Sequence, residues 1–413
     1  MKELFNNYVQ SLETYIMFRI KQKTLDLTPM LKEKGRSPIS LSMGAPVDPP
    51  PKFVTDKLIE ILQTDGKVHS YSTPKGEKYL IDAIVKRMKR VYNVELNNNE
   101  VHSLIGSKEG IANFIRSLIN PTTVEKEKDI ILVPDPGYAS YVQMVNVSGG
   151  LAYPIPLLPE NNYMPDLEQV LENLSKDGYD KKKVKAIAFN YPNNPMGVIC
   201  TREYMQKAVD FCKKHNFILL ADAAYIDLNL PGTEKLPSIL EIPGAKDVAI
   251  EFYSFSKSYA MTGWRMGWAC GNQELVGMLG KIKSSIDTGI FKPLQIAGAE
   301  ILNSEAGDKF IVEENKNYLE KLNILIDGFK KMGWNTDNIK PKATFYLWLP
   351  VPPKFKSSED FTNYALETSG VVFVPGSAFG KNGEMWFRIS ATSTKSDIEE
   401  AVDRLIKDGL KFQ

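Results

Sequence analysis

A chain of 413 residues, 43% hydrophobic and 24% charged, is long enough for about two domains with cores of ordinary size. Its 51 basic and 50 acidic residues leave a net charge of +1, which excludes a global field for nucleic acid or an anionic membrane, so any anion site must be local. Three cysteines, Cys200, Cys212 and Cys270, form no CxxC pair and leave a thiol over, which fits a reducing compartment, the cytoplasm, better than a disulfide framework.

Residues 1–50 read as an arm. An amphipathic helix is expected from Tyr8 to Ile20, where Arg19 and Lys21 break up any signal or spanning core, and a short strand at Ile39–Leu41. Met43 to Pro51 is too rich in proline for regular structure, and Gly44 within it lets the backbone approach a neighbour closely. Helices near Lys52–Gln63 and Tyr79–Val91 flank the segment Tyr71-Ser72-Thr73-Pro74-Lys75-Gly76.

From residue 101 the pattern becomes a βαβ series. Val101 to Ala112 reads as strand, small-residue turn and helix start, with Gly106, Ser107 and Lys108 at the turn; backbone N–H groups there bind phosphate, and the helix-end charge contributes roughly 0.3–2 kcal/mol. A Gly-Ser turn alone is only a turn, and it gains weight from the series around it. The next strand, Asp129–Val133, is expected to stop at Pro134-Asp135-Pro136 and present Tyr138, either as core or as a ring to stack on a cofactor. Ala186–Phe189 delivers Asn190 to Gly197, with Asn194 as a neutral donor. The apolar strand Phe217–Ala221 ends on Asp222 and, three residues on, Tyr225; a carboxylate closing a buried strand needs a partner.

The stretch Ser254 to Gly267 organises the rest. It follows the apolar run Val248–Tyr253, so Lys257 lies just past a strand's carboxyl end, where open parallel sheets place ligand chemistry. Ser254, Ser256 and Arg265 can hold a phosphate dianion while the Lys257 amine attacks a carbonyl. Pyridoxal 5'-phosphate is a ligand that uses all four, held by the lysine as a Schiff base. In that reading Asp222 faces the ring nitrogen, Asn194 and Tyr225 donate to the phenolic oxygen, and Lys257 moves the proton between the substrate α-carbon and the cofactor. After Arg265 a further strand, Gly267–Gly271, is expected, then helix from Leu279 through Ile286 and Ile301 to Met332. Short strands at Thr344–Trp348, Val371–Val374 and Trp386–Ser390 mark an α+β ending.

The motifs Asn-Asn-Pro-x-Gly (193–197), Asp-x-x-Tyr (222–225), Ser-x-Ser-Lys (254–257) and Gly-Trp-Arg-x-Gly (263–267), in this order, resemble those of fold-type I, class I/II pyridoxal-phosphate aminotransferases. Gly-Ser-Lys-Glu-Gly (106–110) and Val-Pro-Asp-Pro-Gly-Tyr (133–138) are similar to the LL-diaminopimelate and glutamate–pyruvate (alanine) branch, although Ala139-Ser140 departs from the Pro-Val of the diaminopimelate enzymes. The resemblance implies an α/β fold with a mostly parallel sheet in a large domain (51–295), and a small α+β domain (296–413) joined by the arm (1–50). It implies that Arg388 grips the substrate α-carboxylate, with a backbone N–H of Gly44 beside it, and that Tyr71 reaches the cofactor phosphate of the neighbouring subunit in a homodimer with shared sites. The implied reaction is ping-pong between amino and 2-oxo acids, with glutamate and 2-oxoglutarate as one pair. A β-eliminating lyase, an aromatic or aspartate aminotransferase, and a non-catalytic cofactor-binding sensor domain are the rival readings on the same fold. No metal motif is present.

Overall fold

The apolar runs between residues 101 and 271 form one seven-stranded sheet in the computed structural model, which describes residues 4–12, 14, 16–337 and 339–413. In chain order the strands are β1 (Ile39–Ser40), β2 (Val101–Leu104), β3 (Ile130–Asp135), β4 (Leu151–Pro156), β5 (Val184–Phe189), β6 (Ile218–Asp222), β7 (Ala249–Ser254), β8 (Gly267–Gly271), β9 (Tyr346–Pro350), β10 (Val371–Val372), β11 (Val374–Pro375) and β12 (Trp386–Ser390). The large sheet runs β2-β8-β7-β6-β5-β3-β4, and all its strands are parallel except β8. Both faces are covered because each strand is apolar on both sides. On β6, Leu219 and Ala221 pack with Val209 and Cys212 of the helix Arg202–His215, whereas Leu220 joins Phe114 and Ile115 of the helix Ser107–Leu118 on the other face.

Several elements differ from the sequence expectation for physical reasons. β3 continues through Pro134 to Asp135, because its pairing to β5 ends at Leu132 and only the β4 side remains, where Pro134 lies opposite Ile155. β4 itself was not foreseen; it carries Pro154 and Pro156, which an edge strand tolerates because one row of its N–H groups has no ladder to serve. The helical stretch from Leu279 is three helices, Gln273–Lys283, Lys292–Leu302 and Glu305–Lys331, and Ile286 lies in the first gap. The run 371–374 is split at Phe373, since Val371 and Val372 pair with β1 while Val374 and Pro375 pair with β12. The strand expected at 344–348 is shifted to β9, with Thr344 at a positive φ of 69° before it. The expected helix from Tyr8 to Ile20 crosses residues 13 and 15, which lie outside the described residues; around them Asn7–Gln10 and Ile16–Glu33 are helical.

A separate core gathers β9, β12 and the helices Glu305–Lys331, Ser358–Ser369 and Lys395–Lys407, through Tyr318, Leu325, Phe345, Leu347, Phe361 and Phe387. Ile39 and Leu41 from the arm enter it, and so do Tyr225, Leu228 and Leu230, which follow β6. This packing places the β9–β12 sheet over the carboxyl ends of the large sheet. Among the described residues no helix is long and apolar enough to cross a membrane.

Candidate active site

The parallel strands β2, β3, β5, β6 and β7 finish on one edge, which fixes where Gly106, Tyr138, Asn194, Asp222 and Lys257 can be. The antiparallel β8 serves the same edge from its opposite end: Gly267 at its start pairs with Leu104 and Ser254, so Arg265, two residues earlier, is returned to the neighbourhood of Lys257. A parallel β8 would have sent it to the far side.

Four elements build an anion cup. The helix Ser107–Leu118 begins after Gly106, and first-turn N–H groups have no intrahelical acceptor. Ser254 caps the short helix Phe255–Ser258, its Oγ accepting from the Ser256 N–H at 3.1 Å. The Arg265 guanidinium donates through Nη1 to Thr262 O at 2.8 Å and Ser256 Oγ at 3.4 Å, and through Nη2 to Ile105 O at 3.4 Å. Gly106 has φ +85°, and a Cβ there would collide with Arg265 Nη2, so only glycine lets the guanidinium lie against the turn.

Lys257 donates to the carbonyl of Gly44, with its Nζ 5.9 Å from the Tyr225 ring centroid. Thus Gly44 presents its C=O to the lysine. Burial, reinforced by the Arg388 and Arg265 cations, lowers the amine to about 7. Asp222 is 6% exposed; it accepts from the Tyr141 hydroxyl at 2.5 Å and the Ala224 N–H at 3.2 Å. Burial raises its carboxyl above the ordinary value despite those donors. Among the described residues it has no ion-pair partner within 4.0 Å, and the cation that acts on it, Lys257, does so from beyond that distance. Tyr138 stands edge-on to Tyr141 at 5.4 Å, and Lys108 Nζ is 5.9 Å from the Tyr138 ring.

Arg388, on β12, is buried; Nη1 donates to Asn194 Oδ1 and Nη2 to Ser42 O, both at 2.8 Å. Its guanidinium carbon lies 4.3 Å from the Tyr346 ring and 4.8 Å from the Phe379 ring. Because Asn194 spends its oxygen on Arg388, its amide nitrogen is the group left to donate. Tyr71 is 86% exposed and stands apart on a surface segment.

Sequence reasoning missed four contributors. Tyr141 holds Asp222. Tyr346 shares a 2.9 Å hydrogen bond with the Tyr225 hydroxyl, and a Cβ on Gly44 would strike its oxygen. Asn190 donates to Asp222 O at 3.0 Å and accepts from the Asn194 N–H at 3.1 Å, fixing both residues. Phe379 flanks Arg388. Asn190 had a signal, as an amide closing an apolar strand; Tyr346 and Phe379 had none, since the pairing of β9 with β12 brings in the first and the turn after β11, itself paired to β12, brings in the second. A cavity of about 530 Å³ reaches Tyr138, Tyr141 and Phe379 and is otherwise lined by residues outside this set, among them Ile16 and Pro154.

Residues 36–405 match the family described as aminotransferase class I and II. The LL-diaminopimelate aminotransferase of Moorella thermoacetica is 38% identical over 398 residues, 96% of each chain. That of Aquifex aeolicus is 39% identical over 403 residues, 97% of this chain and 98% of the other. Among solved structures, substrate-bound BacF from Bacillus subtilis matches with a TM-score of 0.89 at 32% identity over 99% of each chain. A Thermus thermophilus aspartate aminotransferase with maleate, TM-score 0.86 at 24% identity, covers 98% of this chain and 99% of its own and shares the fold.

Proposed function

The chain belongs to aminotransferase class I and II, and from that premise we propose that its site holds pyridoxal 5'-phosphate and exchanges the amino group of LL-diaminopimelate with 2-oxoglutarate. The observation that carries the cofactor reading is Asp222, a buried carboxylate with no ion-pair partner, on the same sheet edge as the Lys257 amine and the anion cup. A protonated pyridine nitrogen would supply the close ion-pair partner that Asp222 lacks, and the donor set of the cup suits a phosphate dianion. When bound, the cofactor supplies an aldehyde that takes up amines and a ring that accepts electrons from the substrate α-carbon.

The protein's part follows from its own groups. Lys257 would hold the aldehyde carbon, and its amine would be the group to carry a proton from the substrate α-carbon; general acid–base catalysis of this kind contributes roughly 10²–10⁴-fold. Asp222 keeps the ring nitrogen protonated, and Tyr141 keeps Asp222 aimed. Asn194 and Tyr225 donate to the phenolic oxygen. Arg388, already oriented by Asn194 and Ser42, offers its fork to an α-carboxylate. We further propose a homodimer in which Tyr71 completes the partner's cup, a division into a large part (51–295) and a small part (1–50 with 296–413), and residence in the cytoplasm, where three buried free thiols persist.

The test is kcat/KM with 2-oxoglutarate across LL-diaminopimelate, alanine, aspartate, methionine and phenylalanine. A tenfold or larger preference for LL-diaminopimelate, about 1.4 kcal/mol of transition-state discrimination, is expected. The same margin for any other donor overturns the substrate assignment while leaving transamination intact.

A further inference from the structure

Lys283 ends the helix Gln273–Lys283 with its side chain 0% exposed, which is rare for a lysine unless it is paired. It is paired twice. Its Nζ lies 2.7 Å from Asp287 Oδ2 and 3.3 Å from Glu109 Oε2. Glu109 belongs to the first turn of the helix that opens the anion cup, two residues after Ser107.

The rest of the Glu109 carboxylate is committed as well. Oε2 accepts from the Ile105 N–H at 3.0 Å, reaching back across the turn, and Oε1 accepts from Asn113 Nδ2 at 2.5 Å. This fixes the strand-to-helix turn on which Gly106 and Ser107 stand. It also sets up a conflict, since a carboxylate in that turn opposes a dianion bound at the same helix start. Lys283 meets the conflict by supplying a buried positive charge behind the turn.

We propose that Lys283 and Glu109 form a positioning pair for the cofactor phosphate, resting on the pyridoxal-phosphate reading above. Glu109 holds the turn by the Ile105 N–H, and Lys283, shared with Asp287, keeps that carboxylate turned away from the cup and offsets part of its charge. Asp287 anchors the lysine from the other side, and its Oδ1 is used by the Gly289 N–H at 2.7 Å, so the lysine cannot swing to solvent without breaking a second turn. Neither residue touches the reacting atoms.

The experiment compares affinities of the apoprotein for pyridoxal 5'-phosphate and for pyridoxal, which lacks the phosphate, both followed by the absorbance of the lysine adduct. Lys283→Met is expected to weaken pyridoxal phosphate tenfold or more, about 1.4 kcal/mol, while changing pyridoxal less than twofold; Lys283→Arg is expected to restore most of the difference. A purely structural role lowers both affinities together and overturns the proposal, as does an unchanged ratio. Where Lys283→Met does not fold, Lys283→Gln, which keeps a polar donor for Asp287 but removes the charge, carries the same expectation and the same refutation. A wild-type protein that captures neither compound overturns the cofactor reading itself, whereas one that captures both with an unaltered ratio in the variants overturns only the positioning pair.

Discussion

The Tyr141 hydroxyl donates to Asp222 Oδ2 across 2.5 Å, joining the first turn of the helix Ser140–Val147 to the last residue of β6. Burial pushes the Asp222 carboxyl up, and this hydrogen bond is the largest of the influences that pull it back. The tyrosine therefore helps to keep ionised the carboxylate that, in the proposed reading, would hold a proton on the cofactor's ring nitrogen.

Tyr141→Phe removes that donor without altering the ring packing against Tyr138. The acid limb of the kcat profile is expected to move to higher pH, because the carboxyl then protonates more readily, and kcat at neutral pH to fall roughly tenfold, in keeping with a charge-assisted hydrogen bond of about 1.5–3 kcal/mol. A profile that superposes on that of the wild type removes Tyr141 from the mechanism.

Capture of the cofactor by the apoprotein should titrate with Lys257. A protonated amine cannot attack an aldehyde, so the rate is expected to be low below about 7, the value to which burial and the two arginines bring this amine, and to level off roughly one unit above it. Stopped-flow absorbance across pH measures it, and an inflection near the ordinary lysine value of 10.5 refutes the assignment. Lys257→Ala should retain no label after borohydride reduction.

Arg388→Ala is expected to weaken amino acids, 2-oxo acids and maleate by roughly ten- to a hundredfold regardless of side chain, since the carboxylate fork is common to all of them. Cofactor content should be unchanged. Titration with maleate decides it; unaltered binding of maleate, or loss of cofactor instead, counts against the role.

Glu251 gives a prediction for stability. Buried on β7, it accepts from the Ser238 and Tyr253 hydroxyls and the Ile239 N–H, yet burial still raises its carboxyl to about 7 from an ordinary 4.5. The folded state thus binds a proton that the unfolded state releases between those values, so stability falls as pH rises from about 4.5 to about 7 and changes no further above. Glu251→Gln, which cannot ionise, is expected to be more stable than the wild type at about pH 8, by up to about 3 kcal/mol, and similar at about pH 4.5. Denaturant unfolding at the two pH values tests this; a variant less stable at the higher pH contradicts it.

The gathering of these residues on one sheet edge was legible in the chain because apolar strands announce their own ends. Asp222, Asn194, Ser254 and Lys257 each follow a run that can only be a buried strand, and parallel strands deliver their ends to one edge, so their convergence follows from pattern alone. Proline hid β4, since a chain gives no sign of which strand will be the edge that tolerates it. The direction of β8 was equally hidden, and on it depends the return of Arg265 to the cup. Tyr346 meets Arg388 only through the pairing of β9 with β12, Phe379 through the turn after β11, and Lys283 meets Glu109 across 174 residues through the packing of two separate helices. Local sequence fixes the period and the end of an element; which side chain stands opposite is settled by non-local register and packing, whose energy is shared over the whole core.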